Sequence, residues 1–307
     1  MKRTFTLLLG LAVLAGCSKE GTENNSDNGA LVPIELGAGV NVISRAAIAG
    51  GDAVTDAGIA GWEAGKEGTP DYSGKAKWNT NISTTANSTT PQRVTWTEQQ
   101  YYNSDEETTT YMKAWYPGGT FDTETNRVTF ENTDGSVDAL LAPSVSGNKK
   151  NKVSSPLAFE HKTSQIKFSV KKGEGLAEGT TIESITIKDA QLPTGFDLTK
   201  ASDDEGAVTY AGAEDLTVAC NDYEITNTNA GDKVGKEVMI KPITSNTFKV
   251  DIKTNNATYQ NQTVTVTTDA VQAGYAYDIT LTFGQAGIEL TATVSEWQSA
   301  AGSAEIQ

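Results

Sequence analysis

The chain has 307 residues, with 24 basic against 39 acidic side chains, two cysteines and a single histidine. One His and two Cys cannot assemble a multi-ligand zinc or iron–sulfur site, so no metal and no cofactor is expected, and a formal charge of −15 repels nucleic acid and anionic lipid surfaces. A hydrophobic content of 37% over this length supports one large or two ordinary domains.

Lys2 and Arg3 precede an apolar run from Phe5 to Leu14. That run is too short to span a hydrocarbon core of about 30 Å and has the layout of an export signal over residues 1–16. It closes in Leu14-Ala15-Gly16-Cys17, which resembles the lipobox of bacterial lipoproteins. The resemblance implies signal cleavage between Gly16 and Cys17, acylation of the Cys17 thiol and anchorage in the outer membrane. Such use of Cys17 leaves Cys220 without a disulfide partner, to be read as a small buried apolar residue. Residues 17–31 are rich in Gly, Asn, Ser and acid, the composition of a flexible tether.

From Val32 the chain alternates. Val32, Ile34, Leu36, Ala38, Val40 and Val42 share one parity, while Pro33, Glu35, Gly37, Gly39 and Asn41 share the other. A period of two over eleven residues predicts a strand, and Pro33 with two glycines places it at a sheet edge or marks it as replaceable. A Gly/Ala/Thr-rich run with few apolar anchors follows to about Pro91. Short strands are then predicted at 94–96, 111–116, 128–130 and 137–142, punctuated by turns such as Ser104-Asp105-Glu106-Glu107 and Pro117-Gly118-Gly119. A second series covers 166–171, 185–187, 238–240, 248–252 and 264–266. It ends in a hairpin in which Gly284-Gln285-Ala286-Gly287 joins 279–283 to 288–294. Many short β-branched strands without helical periodicity predict an all-β chain of two sandwiches in series. The polar stretch Ser144 to Ser155 suggests the boundary, giving domains at 32–155 and 156–307.

The motifs that could carry catalysis lack their partners. Gly37-Ala38-Gly39 has no third glycine, the Gly-Lys pairs have no P-loop frame, and Ser164-Gln-Ile-Lys167 lies in a predicted strand. His161 reads as a hydrogen-bonded strand-end residue rather than a base. Asp105-Glu106-Glu107 and Asp203-Asp204-Glu205 read as solvated turns. Trp62, Trp78, Tyr101 and Tyr102 could stack on sugars, although in a sandwich such rings more often fill a core.

A lipobox, a tether and an alternating strand ending at Ser44-Arg45-Ala46 are followed by Leu157-Ala-Phe159-Glu-His161-Lys-Thr-Ser164-Gln-Ile-Lys-Phe168, Ala273-Gly-Tyr275, Gly287-Ile-Glu-Leu290 and Trp297. This combination resembles the fimbrillin family of Bacteroidetes, subunits of type V pili. The resemblance implies two transthyretin-like β-sandwich domains, no enzymatic activity, and assembly at the cell surface into fimbriae that support adhesion. It implies cleavage by an arginine-specific protease between Arg45 and Ala46, removal of the strand at 32–43, and strand exchange with other fimbrial subunits, in a homo- or hetero-polymer. A donor strand is expected near the C terminus, where Ala300, Gly302, Ala304 and Ile306 alternate. Two alternatives are a tip or anchor subunit that keeps its first strand, and a lipid-anchored glycan-binding protein. A host protein or glycan is a further partner class.

Overall fold

A computed structural model describes residues 31–40, 53–66, 68–84, 91–229 and 231–296, all within one compact unit that begins at Leu31. Among the described residues the chain forms strands and no helix. In the first half these are β1 (Gly37–Val40), β2 (Ala57–Ala64), β3 (Trp78–Ser83), β4 (Gln92–Arg93), β5 (Thr95–Trp96), β6 (Thr109–Tyr116), β7 (Thr120–Asp122), β8 (Arg127–Thr129), β9 (Leu140–Leu141), β10 (Val145–Gly147) and β11 (Leu157–His161). The second half holds β12 (Ser164–Lys172), β13 (Thr181–Ala190), β14 (Pro193–Asp197), β15 (Val208–Tyr210), β16 (Glu214–Glu224), β17 (Asp232–Ile240), β18 (Thr247–Thr254), β19 (Thr258–Thr265), β20 (Tyr275–Gly284) and β21 (Gly287–Glu296).

The first sheet runs β4-β1-β11-β9-β6-β2-β3-β5, with β10 added on β6. Ile34, Leu36 and Ala38 from one end of this sheet share a core with Ile59, Ile82, Met112 and Phe159 from the rest. The sheet therefore wraps around its own apolar face. Two further sheets, β17-β12-β20-β21 and β16-β13-β18-β19, enclose a second core built on Ile166, Phe168, Ile185, Val250, Ile279 and Leu281. These inward residues fall on alternate positions of their strands, as half-buried strands require. The arrangement is compatible with two sandwiches in series.

A fourth sheet, β15-β14-β8-β7, ties the halves of the chain together, because Phe196 on β14 pairs with Val128 on β8. Behind it lies a third core of Trp62, Trp115, Val128, Leu141, Phe196 and Leu198. Lys113 from β6 reinforces the junction: its buried ammonium donates to Leu198 O at 2.8 Å and Lys200 O at 2.7 Å. Burial pulls that amine down to about 8.

The Gly/Ala-rich run contains β2, a central strand of the first sheet. In register, Gly58 pairs with Trp115 and Gly61 with Trp78. A Cβ on Gly58 would stand 2.2 Å from the Trp115 ring, and one on Gly61 would stand 2.3 Å from that of Trp78. The glycines make room for indoles donated by neighbouring strands, so the missing apolar bulk is supplied from across the ladder. The terminal hairpin is also tighter than its sequence suggests. Gly284 pairs directly with Gly287, leaving a two-residue turn at Gln285 and Ala286.

Candidate functional site: the strand that fills the first core

Of the features the resemblance makes functional, the structure describes the first strand over residues 32–40. Residues 32–40 have two neighbours, one paired along Ala38–Val40 and the other along Val32–Ala38. On one side, β1 lies parallel to β11, with Ala38 opposite Leu157 and Val40 opposite Phe159. On the other side the chain from Gln92 to Tyr102 runs antiparallel to it. Tyr102 N donates to Val32 O at 3.0 Å, Ile34 N to Gln100 O at 2.9 Å, and Val94 N to Leu36 O at 3.0 Å. The Gln99 side chain adds a donor to Ile34 O at 3.0 Å. The strand is thus internal, a correction to the edge position suggested by Pro33 and its glycines. Pro33 is tolerated because it sits at the start of the ladder, bridged only to Tyr101.

The side chains explain its tenacity. Ile34, Leu36, Ala38 and Val40 are 0%, 3%, 1% and 8% exposed. Burying Ile34, Leu36 and Val40 contributes about 1.5–3 kcal/mol each. The opposite parity faces outward: Glu35 meets the Arg93 guanidinium at 2.6 Å, and Gly37 and Gly39 lie over Pro91. Removing this strand would expose an apolar trough lined by Ile59, Ile82, Met112, Leu157 and Phe159 between two rows of unpaired backbone groups.

β21 presents a contrasting version of the same alternation. It is the last strand of its sheet and pairs only with β20. Ile288, Leu290, Ala292 and Val294 point at the second core but are only partly buried.

The remaining candidates fall into structural roles. Gly16, Cys17, Arg45, Ala46, Trp297 and the alternating positions 300–306 lie outside the described residues. His161 ends β11 with Nδ1 2.8 Å from Asp138 Oδ2, both side chains essentially inaccessible, while Thr163 Oγ1 donates to Asp138 Oδ1 at 3.1 Å. Cys220 is buried, and burial pushes its thiol up to about 11. Trp62 is buried, donating to Gly74 O at 3.0 Å, and Tyr102 is buried with its hydroxyl accepting from Val153 N at 2.9 Å. Trp78 packs against Trp96 with ring centres 6.0 Å apart, so of the four rings considered for stacking only Tyr101 is well exposed. In the acidic turn, Asp105 accepts from Glu107 N and Thr108 Oγ1 at 3.0 Å each, contacts that lower its pKa. Asp203 pairs with Lys162 at 2.8 Å.

A family model described as fimbrillin-like matches residues 44–297 of this chain. The chain belongs to the fimbrillin-like family. Members of that family are structural components of cell-surface fimbriae, not enzymes. Solved structures agree at the level of fold. A candidate cell adhesion protein from Bacteroides uniformis superposes with a TM-score of 0.57 at 19% identity, covering 87% of this chain and 98% of its own. One from Bacteroides ovatus gives 0.52 at 17% identity over 89% and 100%, and one from Parabacteroides distasonis gives 0.51 at 11% over 90% and 99%. No curated protein matches the sequence.

Proposed function

We propose that this fimbrillin-like chain is an exported lipoprotein anchored through Cys17, and that cleavage behind Arg45 frees the strand at 32–43 so that a strand from a neighbouring subunit can replace it. The observation that carries the reading is the burial of residues 32–40. Ile34, Leu36, Ala38 and Val40 close the first core, and Arg45 follows this segment in the sequence, so a cut there would make it a removable plug. Once vacated, the trough offers main-chain hydrogen bonds from the 92–102 segment at one end and from β11 at the other, with pockets at every second position, which is how an added strand is recognised. A head-to-tail contact of this kind does not close on itself and builds a filament.

One further feature favours Arg45 as the cut. Beyond it the chain has only Arg93 and Arg127, and both lie in strands, paired with Glu35 and Asp197. Removing residues 1–45 takes away four basic and four acidic residues, so the remaining 262 residues still carry −15. That charge keeps subunits apart until strands are exchanged. Treating the lipidated precursor with an arginine-specific protease should trim it to Ala46 and produce ladders of polymer. Arg45→Ala should block both changes, and high salt without protease should produce no ladder. A precursor that is trimmed yet stays monomeric would contradict the proposal.

A further inference from the structure

Strands β13 and β18 part at one end of the second core. Their ladder runs from Ile182 opposite Thr254 to Ile187 opposite Val250 and stops there. β18 continues to Phe248 and Thr247, which pair with β19 on its other side. β13 turns away: its register on β16 shifts between Ile187 and Ala190, Asp189 takes a φ of 53°, and just beyond it Gln191 O accepts from Lys241 N at 2.8 Å. A left-handed φ on a residue with a side chain is uncommon, and bulges of this kind recur beside binding sites. The parted strands flank a cavity of about 400 Å³.

Its lining has two characters. Ile187, Ile240 and Phe248 belong to the second core and Ile243 packs against it, so the walls are apolar. Lys188, Lys241 and Lys249 also line the cavity, with Asp189 the only carboxylate among the lining residues. Lys188 is held by Asp215 and Asp251. Lys241 and Lys249 have no carboxylate partner among the described residues. Lys241 Nζ lies 5.3 Å from the centre of the Tyr210 ring, and Lys249 Nζ donates to Asn261 O and Thr263 Oγ1.

We infer that this cavity binds a small amphipathic acid, its aliphatic body against Ile187, Ile243 and Phe248 and its carboxylate at Lys241 and Lys249. The inference is independent of strand exchange, because none of these residues belongs to the first strand or to the segments paired with it.

The volume falls within the range of about 300–1,000 Å³ usual for small-molecule sites, and a mostly apolar lining with a few polar groups is their usual make-up. Apolar walls lower the local dielectric, which strengthens the pull of the two ammonium groups on an anion that enters. The lysines alone would hold a simple anion weakly, as exposed ion pairs do. Each CH₂ of an aliphatic body taken out of water tightens binding roughly fourfold. An acid that carries both a charge and a body is therefore favoured over either half by itself.

Titration calorimetry of the full chain with octanoate, octanol and acetate separates the two contributions. Octanoate should bind at one site per chain, octanol roughly tenfold more weakly, and acetate not measurably. Lys241→Gln combined with Lys249→Gln, both at exposed positions, should weaken octanoate roughly tenfold and leave octanol and the melting temperature unchanged. Asp189→Asn removes the rim's carboxylate and keeps a residue that tolerates a left-handed φ, so it should tighten octanoate about threefold. Ile243→Trp fills the cavity and should abolish binding; if it also lowers the melting temperature, the lysine variants alone decide. Absence of octanoate binding, octanol binding as tight as octanoate, or wild-type octanoate affinity in the double lysine variant or in a folded Ile243→Trp chain overturns the inference.

Discussion

Residues 32–40 and β21 are two solutions to one alternating pattern. The first passes from a neighbour along Val32–Ala38 to another along Ala38–Val40 and has its inner row shut away from water, while the second hangs from β20 at the end of a sheet with the same four residue types half covered. The lesson is that context, and not sequence, decides how firmly a strand is held: identical side chains stabilise a segment in proportion to the water they exclude.

This contrast sets the size of mutational effects. Leu36→Ala removes a side chain 3% exposed and should cost about 2–5 kcal/mol, whereas Leu290→Ala, partly exposed at the end of its sheet, should cost about 1 kcal/mol. Denaturant unfolding of the two variants checks the difference, and equal losses would break the comparison. Next in size are the glycines. Gly58→Ala drives a methyl to 2.2 Å from the Trp115 ring and should destabilise the chain by about 1–3 kcal/mol. Gly37→Thr, which brings β21's residue into the first strand, should cost under about 1 kcal/mol because the nearest atom to its Cβ is 3.6 Å away. A melting-temperature loss for Gly37→Thr as large as that for Gly58→Ala would show that the outward face of the first strand has no room for a side chain. The smallest effect belongs to Glu35→Gln. It breaks an exposed pair with Arg93 and should change stability by about 0–1 kcal/mol, less at high salt.

Much of this organisation is legible in the sequence. Period two from Val32 to Val42, and again in 166–170, 248–252 and 279–294, marks strands because successive side chains point to opposite faces of a sheet. β2 is harder to read. Its bulk comes from Trp78 and Trp115 on neighbouring strands, and nothing local in Ala-Gly-Ile-Ala-Gly-Trp announces those partners. The internal position of residues 32–40 is hidden for a related reason, since Pro33 and the glycines describe the strand's own backbone but not the β11 and 92–102 segments that flank it. Likewise the hydrogen bonds of Lys113 to Leu198 and Lys200 join positions far apart in the chain. Ile-Glu-Leu-x-Ala-x-Val stands twice in the sequence, and only burial tells the copies apart: the first is shut inside a core, the second half covered at the end of a sheet.

The central claim is that the first strand is a plug removed at Arg45. Mass spectrometry of the N terminus of this protein in intact cell-surface fimbriae tests it most directly. A subunit that begins at Ala46, with residues 32–45 absent, is the predicted result. An acylated Cys17 followed by an uncut 32–45 segment in every polymerised subunit would contradict it.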